Sequence, residues 1–503
     1  MTRQALSVPG RFAVRIRGRV PPDALVLAAI LAAAAATRFS WLNLMEFKGD
    51  EAEACRLALH VLGFSEPNVG RFFPTQGLIS SIGVPNPPLF EYIIAVPLAF
   101  VRSPLAAVVF VAATNVGAIA MCYVLGRRCY SRFVGLAAAA LWALAPWSIV
   151  FSRKIWASNL LPICTVLFAL ELHRFVVRRR ASAAFSLVAL LAIATQLHFS
   201  AWVLAPVLVA ALWLERKNVQ ARWVALGLTF AAALYAPFLI DHLGAIAHGA
   251  NHAATSHVPG ITGRFENALR FTLAIVGGDR TSILLGHQSP LARPLSTVLG
   301  LAALSGLLIS ARTASNPQDR NLRLLFVGWY LLPLAALSII PVRDYIHYFV
   351  VITPLPFLGL AFIVEAIANR SRITGGLLLA LSLVGFLAVD AHFFRTIIRD
   401  GGAPGDYGVA YRYKAQAAAA ILRANPNRAV VLGLNAQLRP SRRLRTIRFL
   451  IWNGRIDSTN LLPPRTGYVI ADRFHLSSAP TSPSSTSFGP LQIVKVPLQP
   501  PGR

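Results

Sequence analysis

An α-helical polytopic membrane protein with a small α/β domain at its carboxyl end is the fold class this sequence predicts, and three observations carry it. Of 503 residues, 55% are hydrophobic and only 14% charged, and a mean hydropathy of +0.58 is incompatible with a water-soluble globule. Apolar runs of span length recur through residues 1–391. Beyond them, in residues 392–503, the pattern changes to short strands and amphipathic helices.

The first run, Ala24 to Leu42, has no small-residue cleavage site that stands out and is expected to remain as an anchor. Further runs follow at Leu105 to Leu125, Phe133 to Val150, Leu160 to Val177, Phe185 to Leu214, Trp223 to Ile240, Pro294 to Ile309, Leu322 to Ile340, Phe349 to Ile367 and Gly375 to Val389. Phe185 to Leu214 is too long for one crossing, and Gln196, Leu197, His198 and Phe199 interrupt it, which predicts two short helices meeting at one face. The expectation is about eleven crossings.

Arginine and lysine in short loops are retained in the cytoplasm. Arg11, Arg15, Arg17 and Arg19 therefore place the amino terminus inside, and the basic loops at Arg127 and Arg128, Arg178 to Arg180, Arg216 and Lys217, Arg312 and Arg320, and Arg370 and Arg372 share that side. They do so only if Pro88 to Val101 is not a crossing. That stretch is short and carries Glu91, so it reads as an interfacial segment. Residues 43–103 then form the first outer loop, Arg153 lies in a second, Asp241 to Arg293 form a third, and the carboxyl-terminal domain is extracytoplasmic. In that domain Ala410 to Leu422 and Ser441 to Trp452 read as helices, and Ala429 to Leu434, Gly467 to Ala471 and Leu491 to Val496 as strands.

The net charge of +28 comes from membrane-proximal loops without an aromatic-interleaved basic module, so anionic membrane lipids are the expected partner and nucleic acid is not. Cys122 and Cys164 fall in spans, Cys129 in an inner loop and Cys55 outside, which excludes a disulfide framework.

Chemistry is sought where polar residues gather outside. Asp50 and Glu51 open an amphipathic helix that continues through Arg56, Leu57, Leu59 and Leu62, about eight residues past the first span. Acids in a helical first turn are common, and a helix start alone would explain them. Asn86, Pro87, Pro88 and Leu89 close the same loop with a stiff turn. In the third outer loop His248 and His252 share one helical face, but the nearby glycines, the lack of Cys and the lack of a suitably spaced Glu favour a loop that covers substrate over a zinc site.

With these motifs in order, the sequence resembles the GT-C glycosyltransferase superfamily, in the branch that holds protein O-mannosyltransferases and the lipid A aminoarabinose transferase. Asp50 and Glu51 match the family's acidic pair in the first outer loop, and Asn86 to Leu89 match its basic residue and Pro-Pro-Leu with the basic residue lost. Ser152 to Trp156 look like its second outer loop, with Ser158 and Asn159 where an acid is frequent. Arg343, Asp344, Tyr345, His347 and Tyr348 ahead of Pro354 and Pro356 are similar to its late basic and aromatic cluster, and Gly405, Asp406, Tyr407, Gly408 to Tyr413 and Lys414 look like a run in bacterial members. The resemblance implies a glycosyltransferase of the bacterial inner (plasma) membrane, acting with inversion.

Nucleotide sugars are not available outside, and no Gly-rich phosphate loop with Lys and Ser or Thr is present. The expected donor is a polyprenyl-phosphate-linked sugar, the acceptor a hydroxyl on lipid, polysaccharide or protein. Asp50 is the expected base, Glu51 its companion, and Arg153, Lys154, Arg343, Tyr345, His347 and Tyr348 the donor-phosphate ligands. Asn86, Glu91 and Arg56 complete the substrate loop. The sequence fixes no cofactor, and a divalent metal stays open. A lipid-linked-sugar transporter or flippase and a noncatalytic lipid-sugar scaffold are the rival readings; broken helices suit the first, and the second has no need of Asp50.

Overall fold

The computed structural model describes residues 22–64, 74–80, 83–255, 259–342, 345–433, 444–455, 464, 466–474 and 485–497, with the side chains of 245–255 left aside. α1 (Pro22–Phe39) ends in a 3₁₀ turn at Leu42–Leu44. The first loop then holds α2 (Gly49–Val61) and α3 (Leu89–Phe100), the two short helices expected at the interface. α4 (Pro104–Cys129) and α5 (Arg132–Leu144) form a hairpin, and α6 (Pro146–Phe151) leads through the Ser152–Trp156 segment into α7 (Leu161–Val176). α8 (Ala183–Leu197) and α9 (Leu204–Leu214) meet at His198 through a 3₁₀ turn, so the interrupted apolar run is two helices.

α10 (Ala221–Thr255) runs past Ile240, and α11 (Ile261–Gly277) and α12 (Thr281–Leu285) follow. The segment from Asp241 to Arg293, expected as an outer covering loop, is thus largely helical among the described residues. Ala268, Phe271, Thr272 and Ile275 recur at helical spacing and are buried, with α11 packed on its neighbours α13 (Ala292–Arg312) and α14 (Pro317–Ile339). A 3₁₀ turn at Ile346–Ile352 and α15 (Leu355–Ala368) form one bent pair, broken by 57° at the cis peptide Thr353-Pro354. α16 (Arg372–Asp400) closes the bundle.

Among the described residues seven helices are long and apolar enough to cross a membrane, and the bent pair makes an eighth. Eleven is reached only by adding the shorter apolar helices Arg132–Leu144, Ala183–Leu197 and Phe199–Leu214. The bundle is held by small residues where helices cross: a methyl on Gly306 would lie 2.0 Å from Gly359 O, and one on Gly359 2.1 Å from Ala303 O. Such close approach replaces the hydrophobic drive that lipid removes.

α16 continues past residue 391 to Asp400 and ends at Gly401, in the left-handed conformation with φ 74°, where the carboxyl-terminal segment follows. It opens with a small hairpin, β1 (Gly402–Ala403) and β2 (Gly408–Val409), then α17 (Tyr411–Ala424), β3 (Val431–Gly433), α18 (Arg445–Asn453), β4 (Thr466–Asp472), β5 (Ser485–Phe488) and β6 (Leu491–Pro497). The four-stranded sheet has order β3-β4-β6-β5, with β3 parallel to β4 and the other pairs antiparallel. In β5 Thr486 and Ser487 are exposed, and the strand gains its pairing as an edge strand on β6.

Candidate active site

Residues 37–48, from the end of α1 to the start of α2, form the hub of the site and are gripped from two directions. From the turn between α6 and α7, Arg153 donates to the carbonyls of Thr37 at 3.1 Å, Ser40 at 2.7 Å and Trp41 at 2.9 Å, groups at the end of α1 of the kind a helix terminus leaves unpaired. From the carboxyl-terminal unit, Tyr407 donates its hydroxyl to Leu44 O, the Tyr411 amide donates to Met45 O at 2.9 Å, and Lys414 Nζ donates to Phe47 O at 2.6 Å. Gly405 allows the turn to dock: its neighbours Asp406 and Tyr407 donate amides to Ile283 O and Leu284 O, and a methyl on Gly405 would lie 2.2 Å from Ile283 O.

The grip buries Glu46, which keeps 2% exposure. Two lysines compensate it, with Lys154 Nζ 2.5 Å from Oε2 and Lys48 Nζ 2.5 Å from Oε1. Lys48 also reaches Asp406 at 3.0 Å. Burial works against the charge on Lys48, but Glu46 and Asp406 outweigh it and hold the ammonium above its ordinary value.

The acidic pair divides. Glu51 is buried, and its Oε2 accepts the Lys48 amide at 2.5 Å, the reach-back of an N3 glutamate in a helix-capping arrangement. Burial first, and then Glu46, push its carboxyl up to about 7, against the pull of Lys154 and Lys48. Asp50, one residue earlier, is exposed; among the described residues it makes no hydrogen bond or ion pair. Lys414 beside them is pulled down to about 8 by burial, with Glu51 and Glu46 opposing.

Lys154 also stands over the Trp156 ring, 4.3 Å from its centroid. From there a chain of rings continues: Trp156 to His347 at 5.3 Å, and His347 to Tyr345 at 5.5 Å, to Tyr348 at 4.7 Å and to His198 at 5.3 Å. The expected set Lys154, Tyr345, His347 and Tyr348 is therefore brought together, with His198 added from the break between α8 and α9. Arg153 is buried and its guanidinium is committed to backbone carbonyls, so of the expected basic pair only Lys154 faces the carboxylates. Arg343 lies outside the described residues.

The remaining substrate-loop candidates shape the loop. Asn86 pairs with Leu78 through both its amide N–H and its side chain, at 2.9 and 2.7 Å. Glu91 is buried, held up to about 8 chiefly by that burial, and crowds Gly77 so closely that a methyl there would meet its carboxylate at 2.7 Å. Arg56 faces Glu53 at 2.5 Å and His60 at 3.2 Å. Of the histidines in the third segment, His242 meets Thr75 Oγ1 at 2.9 Å; His257 and the side chains of His248 and His252 lie outside the described residues. Among the described residues no three His, Cys, Asp or Glu side chains form a metal-ligand group. Glu46 and Glu51 are compensated by lysines, a donor set that does not suit a divalent cation.

Comparison with known proteins agrees with this architecture. Residues 85–240 match the family of dolichyl-phosphate-mannose-protein mannosyltransferases. Among solved structures, ArnT from Cupriavidus metallidurans in the apo state superposes with a TM-score of 0.57 at 14% identity, covering 94% of this chain and 97% of that one. The Archaeoglobus fulgidus oligosaccharyltransferase in complex with Zn and sulfate superposes with a TM-score of 0.51 at 15% identity, covering 80% of this chain and 55% of that one. The chain thus spans little more than half the length of the archaeal protein. A comparison with curated protein sequences finds no match. The chain thus shares the fold of ArnT over nearly its whole length and that of the archaeal oligosaccharyltransferase over part of it, the architecture of a multi-pass membrane protein.

Proposed function

We propose that this protein moves a sugar from a polyprenyl-phosphate donor to a hydroxyl acceptor at the outer face of the membrane, with inversion and with Asp50 as general base. The observation that carries the reading is the division of the acidic pair. Glu51 is buried and engaged, whereas Asp50 is exposed and unengaged among the described residues. A cavity of about 450 Å³ lies between the α2 start and the carboxyl-terminal unit, lined by Gly49, Lys48, Asp406, Lys414 and Asp472 among others. An acceptor entering there meets the chain one residue from Asp50.

In the proposed step Asp50 takes the proton of the acceptor hydroxyl while its oxygen bonds to the anomeric carbon, which contributes about 10²–10⁴-fold. The bond from that carbon to the phosphate oxygen breaks, and polyprenyl phosphate leaves with the electron pair. Lys154 and the His347, Tyr345 and Tyr348 cluster stabilise the charge that develops on that oxygen, with Arg343 in the same segment. The lipid-linked donor is supported by the family matched over residues 85–240, whose description names a polyprenyl-type phosphate sugar. Glu51 is a positioning residue: through Lys48 it fixes the first turn of α2 and so the direction of Asp50.

One observation favours a rival base, since the Glu51 carboxyl at about 7 is tuned near neutrality and its Oε1 has no hydrogen-bond partner. Donor extracted from membranes lacking the protein, reconstituted with purified protein in vesicles, separates the two. Asp50→Asn should abolish release of polyprenyl phosphate while donor binding persists, and Glu51→Gln should leave measurable turnover. Wild-type release by Asp50→Asn would overturn the assignment. Loss of donor binding in Asp50→Asn would overturn it as well, by making Asp50 a binding group.

A further inference from the structure

At the opposite end of the bundle, five arginines from three segments line one concavity. α4 carries Arg128 and α7 Arg174 in their last turns, and Arg178, Arg179 and Arg180 form the turn into α8, with Ser182 at the α8 amino end. The cavity holds about 680 Å³. Its distance from the Glu46 site follows from the helices themselves: α7 starts beside Asn159, whose Nδ2 donates to Lys154 O at 2.7 Å, and runs its whole length before reaching Arg174.

Two carboxylates face this cluster. Glu171 holds Arg174 at 2.7 Å and Glu215 holds Arg179, while the exposed Arg128, Arg178 and Arg180 side chains have no ion-pair partner among the described residues. The charge at the cavity is thus well in excess of what the chain neutralises. Arg179 has φ 53°, the left-handed conformation that favours glycine at a helix end. The turn is pinned by the Arg178 amide on His173 O at 3.1 Å and the Arg180 amide on Arg174 O at 3.0 Å, which directs consecutive guanidinium groups into one wall. α8 presents its positive dipole end to the same space.

We infer that this concavity is a binding site for a phosphate group, held by Arg128, Arg178 and Arg180 against the amino end of α8. Guanidinium groups match phosphate oxygens by paired hydrogen bonds. A phospholipid headgroup and a soluble phosphate compound offer the same chemistry, and the source is a matter for the test.

Full-length protein in neutral nanodiscs is titrated with phosphatidylglycerol or cardiolipin and, separately, with inorganic phosphate, and retained ligand is counted by native mass spectrometry. The Arg178→Gln/Arg180→Gln variant should lose affinity by roughly tenfold or more, as removal of charge-assisted bonds requires. Arg312→Gln/Arg320→Gln removes the same charge from another loop expected on that side and should change it by less than about twofold. Anionic lipid retained in the presence of excess inorganic phosphate identifies a headgroup site, and displacement identifies a soluble phosphate ligand. Equal losses in both variants, or no retention of either probe by wild-type protein, would overturn the site. Thermal unfolding of each variant checks that the chain is folded. None of these outcomes depends on sugar transfer.

Discussion

At the loop-bearing end of the bundle Glu46 and Lys154 are buried against each other, whereas at the far end exposed arginines outnumber the carboxylates near them. The contrast teaches what each kind of charge is for. Burying an ion pair costs desolvation that its attraction only partly offsets, so its return is fixed geometry. Exposed arginines cost little and attract an anion over about 8–10 Å, the screening distance in physiological salt. On the function and the phosphate site proposed above, one end holds reacting groups in place and the other recruits.

The largest effects should come from breaking the buried end. Asp50→Asn is expected to lower sugar transfer by about 10²–10⁴-fold, while Arg178→Gln/Arg180→Gln changes it by less than about twofold; both are read as initial rates in reconstituted vesicles. Comparable losses in the two variants would erase the distinction between the ends.

Lys154→Met tests the buried pair as structure. Glu46 keeps Lys48 but loses its other partner, and breaking a buried pair costs about 3–5 kcal/mol. The measurement is unfolding in detergent micelles. Lys154→Met/Glu46→Gln should recover much of the loss, because no uncompensated carboxylate remains. A double variant as unstable as the single one would show that packing around Trp156, and not charge, is what Lys154 supplies.

The sequence made one part of this plain and hid the other. Asp50 and Glu51 stand out as candidates because two acids soon after a span are costly and lie at a helix start, and Lys154, Tyr345, His347 and Tyr348 because their segments resemble the family's second outer loop and late aromatic cluster. Glu46 and Lys48 precede the pair by only a few residues, yet nothing in the sequence marks Glu46 as buried; that follows from Tyr407, Tyr411 and Lys414, which arrive from more than three hundred residues away. The Gly405 to Lys414 run was visible as a motif, but its grip on residues 44–48 was not. Likewise, Arg153 read as a phosphate ligand because it opposes the loop charge bias, and only its distances to three carbonyls show it closing α1. The helix break at His198 was readable from Gln-Leu-His-Phe, whereas Phe349 to Ile367 reads as one apolar run and its bend near Pro354 was not. α11 was not, because its apolar face is interspersed with Arg264, Glu266 and Arg270.

The titration of the site separates Glu51 from Lys414. Glu51 has its carboxyl raised from an ordinary 4.5 to about 7, so between those values the folded chain holds a proton that the unfolded chain has released. Its contribution is therefore complete below about 4.5 and is lost as pH rises toward 7. Lys414 is lowered from 10.5 to about 8; there the unfolded chain holds the extra proton, and stability rises as pH climbs through that window. Glu51→Gln should flatten the first slope and keep the second, as read from melting temperature against pH. Parallel curves for wild type and variant would remove Glu51 from the titrating set.

Chelation should have the smallest effect. The buried carboxylates Glu46 and Glu51 face Lys48, Lys154 and Lys414, and a divalent cation seeking several oxygen ligands would enter beside their ammonium groups. Asp50 alone supplies too few ligands to hold one. Transfer measured after EDTA treatment is expected to stay within about twofold of the untreated rate, whereas loss of a metal that mattered would cost about 10–100-fold and be restored by Mg²⁺ or Mn²⁺. Such restoration would make Asp50 a metal ligand, and the exposed carboxylate at the catalytic end would then work by recruiting an ion, as the arginines do at the other.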